Sequence, residues 1–102
     1  MMNLLHWRLL VAVADAHNIS RAAEEIGMTQ SGASQAIAQL EASLGFPVFT
    51  RERRYIGVTA LGVQVVEHAR SMVLTLNAIR LLADESRELN NGRIRLASFP
   101  SV

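Results

Sequence analysis

A chain of 102 residues, half of them apolar and 19% charged, holds one small globular domain and is too rich in core-forming residues to be disordered. The absence of cysteine excludes a disulfide framework, a thiolate nucleophile and a zinc–thiolate site, and fits a reducing cytoplasm. The apolar run Leu9 to Ala14 is far too short to span a bilayer, and the N-terminus lacks the order of a signal peptide, so no membrane partner is expected. A net charge of +1 by itself says little about partners.

In chain order, Asn3 caps a first helix to about Ala16, with Leu4, Trp7, Leu10, Val11 and Ala14 on its buried face. His17-Asn18 breaks it. Ser20 then reads as the cap of a short second helix, Arg21 to Ile26, stopped by Gly27. Thr29 caps a third helix running to about Leu44. Two short helices joined by a tight glycine turn, with small Ala22 and Ala23 at their approach, form a helix-turn-helix pattern. On a helical wheel Ala33, Ile37, Leu40 and Leu44 face inward. Ser31, Ser34, Gln35, Ala38, Gln39 and Ala42 face outward, a surface that is small, polar and uncharged. A merely solvated face carries Glu, Lys and Arg. Gln can read adenine, Ser adapts to either base edge, and Ala meets a thymine methyl.

After Gly45 the residues become β-branched and aromatic. Phe46 to Thr50 and Tyr55 to Thr59 flank Arg51-Glu52-Arg53-Arg54, which reads as a hairpin wing with a charged tip. Residues 1–50 set Arg8 and Arg21 against Asp15, Glu24, Glu25 and Glu41, whereas Arg51, Arg53 and Arg54 face only Glu52 within 51–58. Positive charge is thus concentrated in the wing, where it can reach phosphates or a minor groove. All ten cationic residues are Arg, the cation better suited to forked phosphate and base contacts, but genome base composition gives the same bias and is the preferred explanation. Arg51 directly follows a predicted strand, so its side chain is expected to turn back toward the domain, with Glu52 as partner. Arg53 and Arg54 lie nearer the tip.

Thr59 caps a last long helix, about Ala60 to Asn90. Val65, Ala69, Met72, Leu76, Ile79 and Ala83 alternate spacings of four and three, a coiled-coil seam widened by Val66, Val73 and Leu82. A helix of roughly 30 residues is about 45 Å long, more apolar surface than the preceding domain covers, which points to a second chain. Arg93-Ile94-Arg95-Leu96 alternates as a strand does. The expected fold is mainly α: a winged helix-turn-helix of three helices and a two-stranded wing over 1–59 and a long dimerisation helix over 60–91, with 92–102 reading as the start of a further unit.

This order of motifs resembles the N-terminal part of the LysR-type transcriptional regulators, over essentially the whole chain. Asn18-Ile19-Ser20-Arg21-Ala22-Ala23 is similar to that family's Ser-Phe-Thr-Arg-Ala-Ala stretch. Thr29-Gln30-Ser31-Gly32-Ala33-Ser34-Gln35-Ala36-Ile37 and Gln39-Leu40-Glu41 resemble its recognition helix. Leu44-Gly45, Phe49 and Arg51 resemble the approach to its wing; Val58-Thr59 and Leu61-Gly62 resemble the start of its linker helix. The resemblance implies a homodimer that assembles further to a tetramer, and an interrupted palindromic operator in double-stranded DNA. It also implies that 60–91 is a linker helix and that control comes from a small-molecule effector bound in a C-terminal effector-binding domain, of which 92–102 is the truncated start and to which Ser98 and Ser101 would contribute. Wheel and resemblance together assign DNA contact to Ser20, Arg21, Thr29, Gln30, Ser31, Ser34, Gln35, Ala38, Gln39, Arg51, Arg53, Arg54 and Thr59. Dimerisation falls to Val65, Ala69, Met72, Val73, Leu76, Ile79 and Ala83. Two departures stand out: Gly32 replaces a usual Ala, and Gln35 a frequent Arg.

An enzyme is the weak alternative. His6, His17 and His68 lie on separate segments, no acidic neighbour of His17 or His68 sits at metal-ligand spacing, and no phosphate-binding glycine loop is present. No cofactor or metal is expected. The stronger rival is a helical dimer whose polar third helix binds protein instead of DNA.

Overall fold

The computed structural model describes residues 3–52 and 54–90, in the order α1 (Leu4–Ala16), α2 (Ile19–Ile26), α3 (Gln30–Leu44), β1 (Phe49–Glu52), β2 (Tyr55–Val58) and α4 (Ala60–Asn90). It is the expected mainly helical winged architecture with a long terminal helix. The segment 92–102, including Ser98 and Ser101, lies outside the described residues, as does Arg53.

Local chemistry delimits each helix. Asn3 Oδ1 accepts the His6 amide at 3.0 Å. Thr29 Oγ1 accepts that of Gly32 at 3.0 Å, satisfying donors that no helix turn can reach. Gly27 and Gly45, at φ 89° and 86°, end α2 and α3 in the left-handed conformation. The cap of α2 differs from expectation. Asn18, with extended backbone, accepts the Arg21 amide at 2.9 Å, so the helix begins at Ile19 and Ser20 lies inside its first turn. The amide oxygen of Asn18 stands three residues before the N–H it caps; the Ser20 hydroxyl is too far along the helix to do so.

The burial of α1 also departs from a single stripe. Leu9, Leu10 and Val13 are fully buried, whereas Leu4, Trp7 and Val11 are only partly covered. The reason is position: α1 packs against α2, α3, α4 and β2 at once, so its apolar surface is enclosed on several sides. Around it the core gathers Ala22 and Ala23 of α2, Ala33, Ala36, Ile37 and Leu40 of α3, Val48, Phe49, and Val66 and Ala69 of α4. Alanines at the contact of α1, α2 and α3 let the helix axes approach closely.

The wing is a two-stranded antiparallel ladder pairing Phe49 with Val58, Thr50 with Gly57, Arg51 with Ile56 and Glu52 with Tyr55. Arg51 and Glu52 are therefore strand residues, not tip residues, and Phe46 to Val48 precede the strand. The boundary has a chemical cause: Pro47 has no N–H for a ladder, and the amides of Val48 and Phe49 are taken by Glu41 Oε2 at 2.7 and 3.0 Å. Thr59 closes the wing and opens α4. Its hydroxyl accepts the Gly62 amide at 3.0 Å and donates to the Pro47 carbonyl at 2.8 Å, while its own amide donates to the Val48 carbonyl at 2.9 Å. Gly62 is demanded by this junction, because a Cβ there would stand 2.1 Å from the Val48 carbonyl oxygen.

Candidate nucleic-acid interface

Two short elements present the outer row of α3. Asn18 starts α2 and Gly27 ends it two residues before the Thr29 cap, so a short turn leads into α3, whose inner row is held by Ala33, Ala36, Ile37 and Leu40. The outer row is left in solvent: Gln30, Ser31, Gln35, Ala38, Gln39 and Ala42 are exposed and Ser34 is half-buried. None of the outer row is charged. This is a surface that offers Gln and Ser hydrogen-bonding groups without an ionic field of its own.

Charge enters from its borders. Ser20 and Arg21, at the start of α2, are exposed. Arg54 is exposed in the turn of the wing. An open cleft between the wing and the helix-turn-helix is lined by Ser20, Gln30 and Arg54 together with His17, Glu52 and Tyr55. Residues from α2, α3 and the wing thus share one concavity, with Ser20 and Arg54 34 positions apart in sequence. Among the described residues Arg21 and Arg54 carry no ion pair, which leaves both guanidinium groups free for an anion. Thr29 and Thr59 stand at the margins with their hydroxyl oxygens engaged in capping α3 and α4.

Arg51 is turned back to the domain, as its position after a strand predicts, but its partner is Glu41 at 3.3 Å and not Glu52. Adjacent strand residues point to opposite faces, so Glu52 cannot follow Arg51 to the same side. In the sequence Glu41 is one acid of residues 1–50 and the end of the Gln39-Leu40-Glu41 motif, yet in the structure it ties the wing to α3. Its side chain is 16% exposed and binds two wing amides and Arg51. Contacts spanning seven to ten residues leave no periodic trace, so no sequence pattern marks it.

A second surface runs along α4. Ala69 is fully buried in the chain's own core, and Val65, Val73 and Leu76 are half-buried. Met72, Ile79 and Ala83 remain exposed, as do Leu74, Leu81, Leu82 and Leu89. Leu4, Met72, Leu76 and Ile79 line a shallow apolar depression beside the start of α1. At its root α4 is tied to the domain by Arg70, whose two terminal nitrogens donate to the two carboxylate oxygens of Asp15 at 3.1 and 2.8 Å. The hydrogen bonds from Arg70 hold the Asp15 carboxyl below the usual carboxylate range. Further along, Arg87 pairs with Asp84. Among the described residues no helix is long and apolar enough to cross a membrane, and no three His, Cys, Asp or Glu side chains converge as a metal site would require.

Residues 4–63 match the family described as bacterial regulatory helix-turn-helix protein, lysR family. The chain is 39% identical over 101 residues to the HTH-type transcriptional regulator IlvR of Caulobacter vibrioides, covering 99% of this chain and 33% of that protein. It is 34% identical over 100 residues to the small neutral protease regulatory protein of Streptomyces coelicolor, covering 98% of this chain and 30% of that one. The chain therefore spans about a third of the length of the curated relatives it matches. Among solved structures it is similar to a crystallised CbnR DBD–DNA complex, with TM-score 0.70, 30% identity and coverage of 87% of this chain and 99% of that one. It is also similar to a full-length OxyR variant from Pseudomonas aeruginosa, with TM-score 0.77, 29% identity and coverage of 83% and 29%.

Proposed function

The chain belongs to the LysR family of bacterial regulatory helix-turn-helix proteins, and from that membership we propose that it is the operator-binding end of a transcriptional regulator. The carrying observation is the outer row of α3, uncharged and rich in Gln and Ser, bordered by the exposed Arg21 and Arg54. In this reading Gln30, Ser31, Ser34, Gln35, Ala38 and Gln39 meet base edges in a major groove. Ser20, Arg21, Thr29, Arg53, Arg54 and Thr59 hold the flanking backbone, and the wing reaches phosphate or minor groove. Arg51 acts mainly by bracing the wing through Glu41. Met72, Val73, Leu76, Ile79 and Ala83, with half-buried Val65 at the domain end, form the seam of a homodimer, which in turn builds a tetramer; Ala69, expected in that seam, is instead fully buried in the chain's own core, because α4 packs there against α1. Two copies then address two half-sites of an interrupted palindrome. A small-molecule effector acts through the remaining two thirds of a longer protein, and the working compartment is the cytoplasm.

The matched relatives are transcriptional regulators, and we read this chain as non-enzymatic, without metal or cofactor. No similarity supports the rival reading of α3 as a protein-binding face.

Titration of duplex DNA by fluorescence anisotropy at several salt concentrations tests the proposal. Retention that weakens linearly in log affinity against log salt is expected, by about 0.9 per phosphate neutralised. Duplex binding that is absent at low salt would leave α3 without this role.

A further inference from the structure

Among the described residues, one other than glycine has a left-handed backbone: His17, at φ 55°, which ends α1. Its amide donates to the Val13 carbonyl as the helix cap requires. The rest of the residue is turned to the wing. The Ile56 amide donates to the His17 carbonyl at 3.1 Å, and His17 Nδ1 lies 2.9 Å from the Ile56 carbonyl oxygen. A carbonyl only accepts, so Nδ1 carries the proton and donates. The imidazole also stacks on Tyr55, with centroids 4.5 Å apart and planes 15° from parallel. Both polar backbone groups of Ile56 and the ring before it are thus held by one residue of the helical domain.

The placement has consequences for Arg54. A two-stranded hairpin is marginal in isolation. At its base this wing is held by Glu41 and Thr59, both at the β1 root or the β2 exit. His17 grips β2 at its first two residues, directly after the turn that carries Arg54, and lines the same cleft as Arg54, Ser20 and Gln30. We infer that His17 is a positioning residue for DNA binding: it clamps β2 to the end of α1 and so sets where Arg54 stands over the cleft. This rests on the DNA-binding reading above. The chemistry acts through backbone and ring, so His17 itself need not touch the nucleic acid.

The test uses the chain as it stands and a random-sequence 30-base-pair duplex as probe. His17→Gly keeps the left-handed backbone at no steric cost and removes the ring, so the domain still folds. Amide hydrogen exchange should rise about tenfold at Ile56 and its wing neighbours, the loss of one hydrogen bond and a stack, while α1 and α3 amides keep their protection. Tyr55→Phe keeps the stack and should match the parent in both readouts. The slope of log affinity against log salt should shrink by up to about 0.9 in His17→Gly, as in Arg54→Ala. Combining the two should shrink it no further, because the clamp acts through that cation. Additive losses, or wing amides as protected in His17→Gly as in the parent, would overturn the inference. If the parent itself does not bind the duplex, the DNA-binding reading fails first, and with it the positioning role, while exchange at Ile56 still decides whether His17 clamps the wing.

Discussion

Replacing Glu41 by Ala is the sharpest probe of how this fold holds its wing. The carboxylate is largely covered, and its Oε2 accepts the amides of Val48 and Phe49 at 2.7 and 3.0 Å while Oε1 faces Arg51 at 3.3 Å. Removing it strands two part-buried backbone donors. Each such donor costs about 1–3 kcal/mol when unsatisfied, and water can enter the space vacated by the side chain, so the lower part of that range applies. The Arg51 pair is about half exposed on the Arg side and adds about 0.2–1 kcal/mol at most. The expected destabilisation is therefore about 2–4 kcal/mol. Glu41→Gln retains a neutral oxygen acceptor and should cost about 1–2 kcal/mol. Urea unfolding at one fixed protein concentration reads both, through the midpoint at unchanged slope; a fixed concentration matters because a dimer's stability depends on it. Hydrogen exchange should localise the effect to Val48, Phe49 and the β strands. A Glu41→Ala midpoint within about 0.5 kcal/mol of the parent would refute the account of the wing as hung from α3.

Further outcomes follow from the same structure. Gly62→Ala gains about 0.8–1 kcal/mol of helix propensity, yet its Cβ meets the Val48 carbonyl oxygen at 2.1 Å, so a net loss of about 1–3 kcal/mol is expected, and a raised melting temperature would contradict the close approach. Asp15 has its folded pKa depressed by Arg70, so the pair stabilises above the unfolded carboxyl pKa and the benefit disappears as pH falls through the folded one. Asp15→Asn should thus cost about 0.2–1 kcal/mol at pH 7, with parent and variant converging in acid; a gap independent of pH would rule out the linkage. Replacing both Met72 and Leu76 by Asp buries charge in the proposed seam and should give monomers by sedimentation, whereas an unmodified chain already monomeric at tens of micromolar would remove the seam. Gln35→Ala should relax preference at one or two positions of each half-site by about 1–3 kcal/mol of discrimination, and an unchanged motif from binding-site selection would take Gln35 out of the reading set.

What the sequence determined by itself is what depends on neighbours along the chain. The caps Asn3, Thr29 and Thr59, the stops at Gly27 and Gly45, the inner positions Ala33, Ile37 and Leu40 of α3 and the length of α4 all follow from side chains within four residues of the backbone groups they serve, whereas Leu44 is only partly covered and Ala36 is buried in its stead. The same locality explains the near miss at α2, where Asn18 and Ser20 are both competent caps and only the path of the chain out of α1 selects Asn18. Tertiary structure decided the rest. Leu9 and Val13 are buried because α1 is surrounded, which no single-helix period expresses. Arg51 turned to Glu41 because strand pleating sends it away from Glu52 and toward α3. Gly62 is needed because α4 crosses the Val48 carbonyl, Asp15 finds Arg70 across 55 positions, and His17 meets Ile56 across 39. Pairings of that range satisfy individual donors and acceptors rather than a repeating face, and so they exist only once the elements have packed.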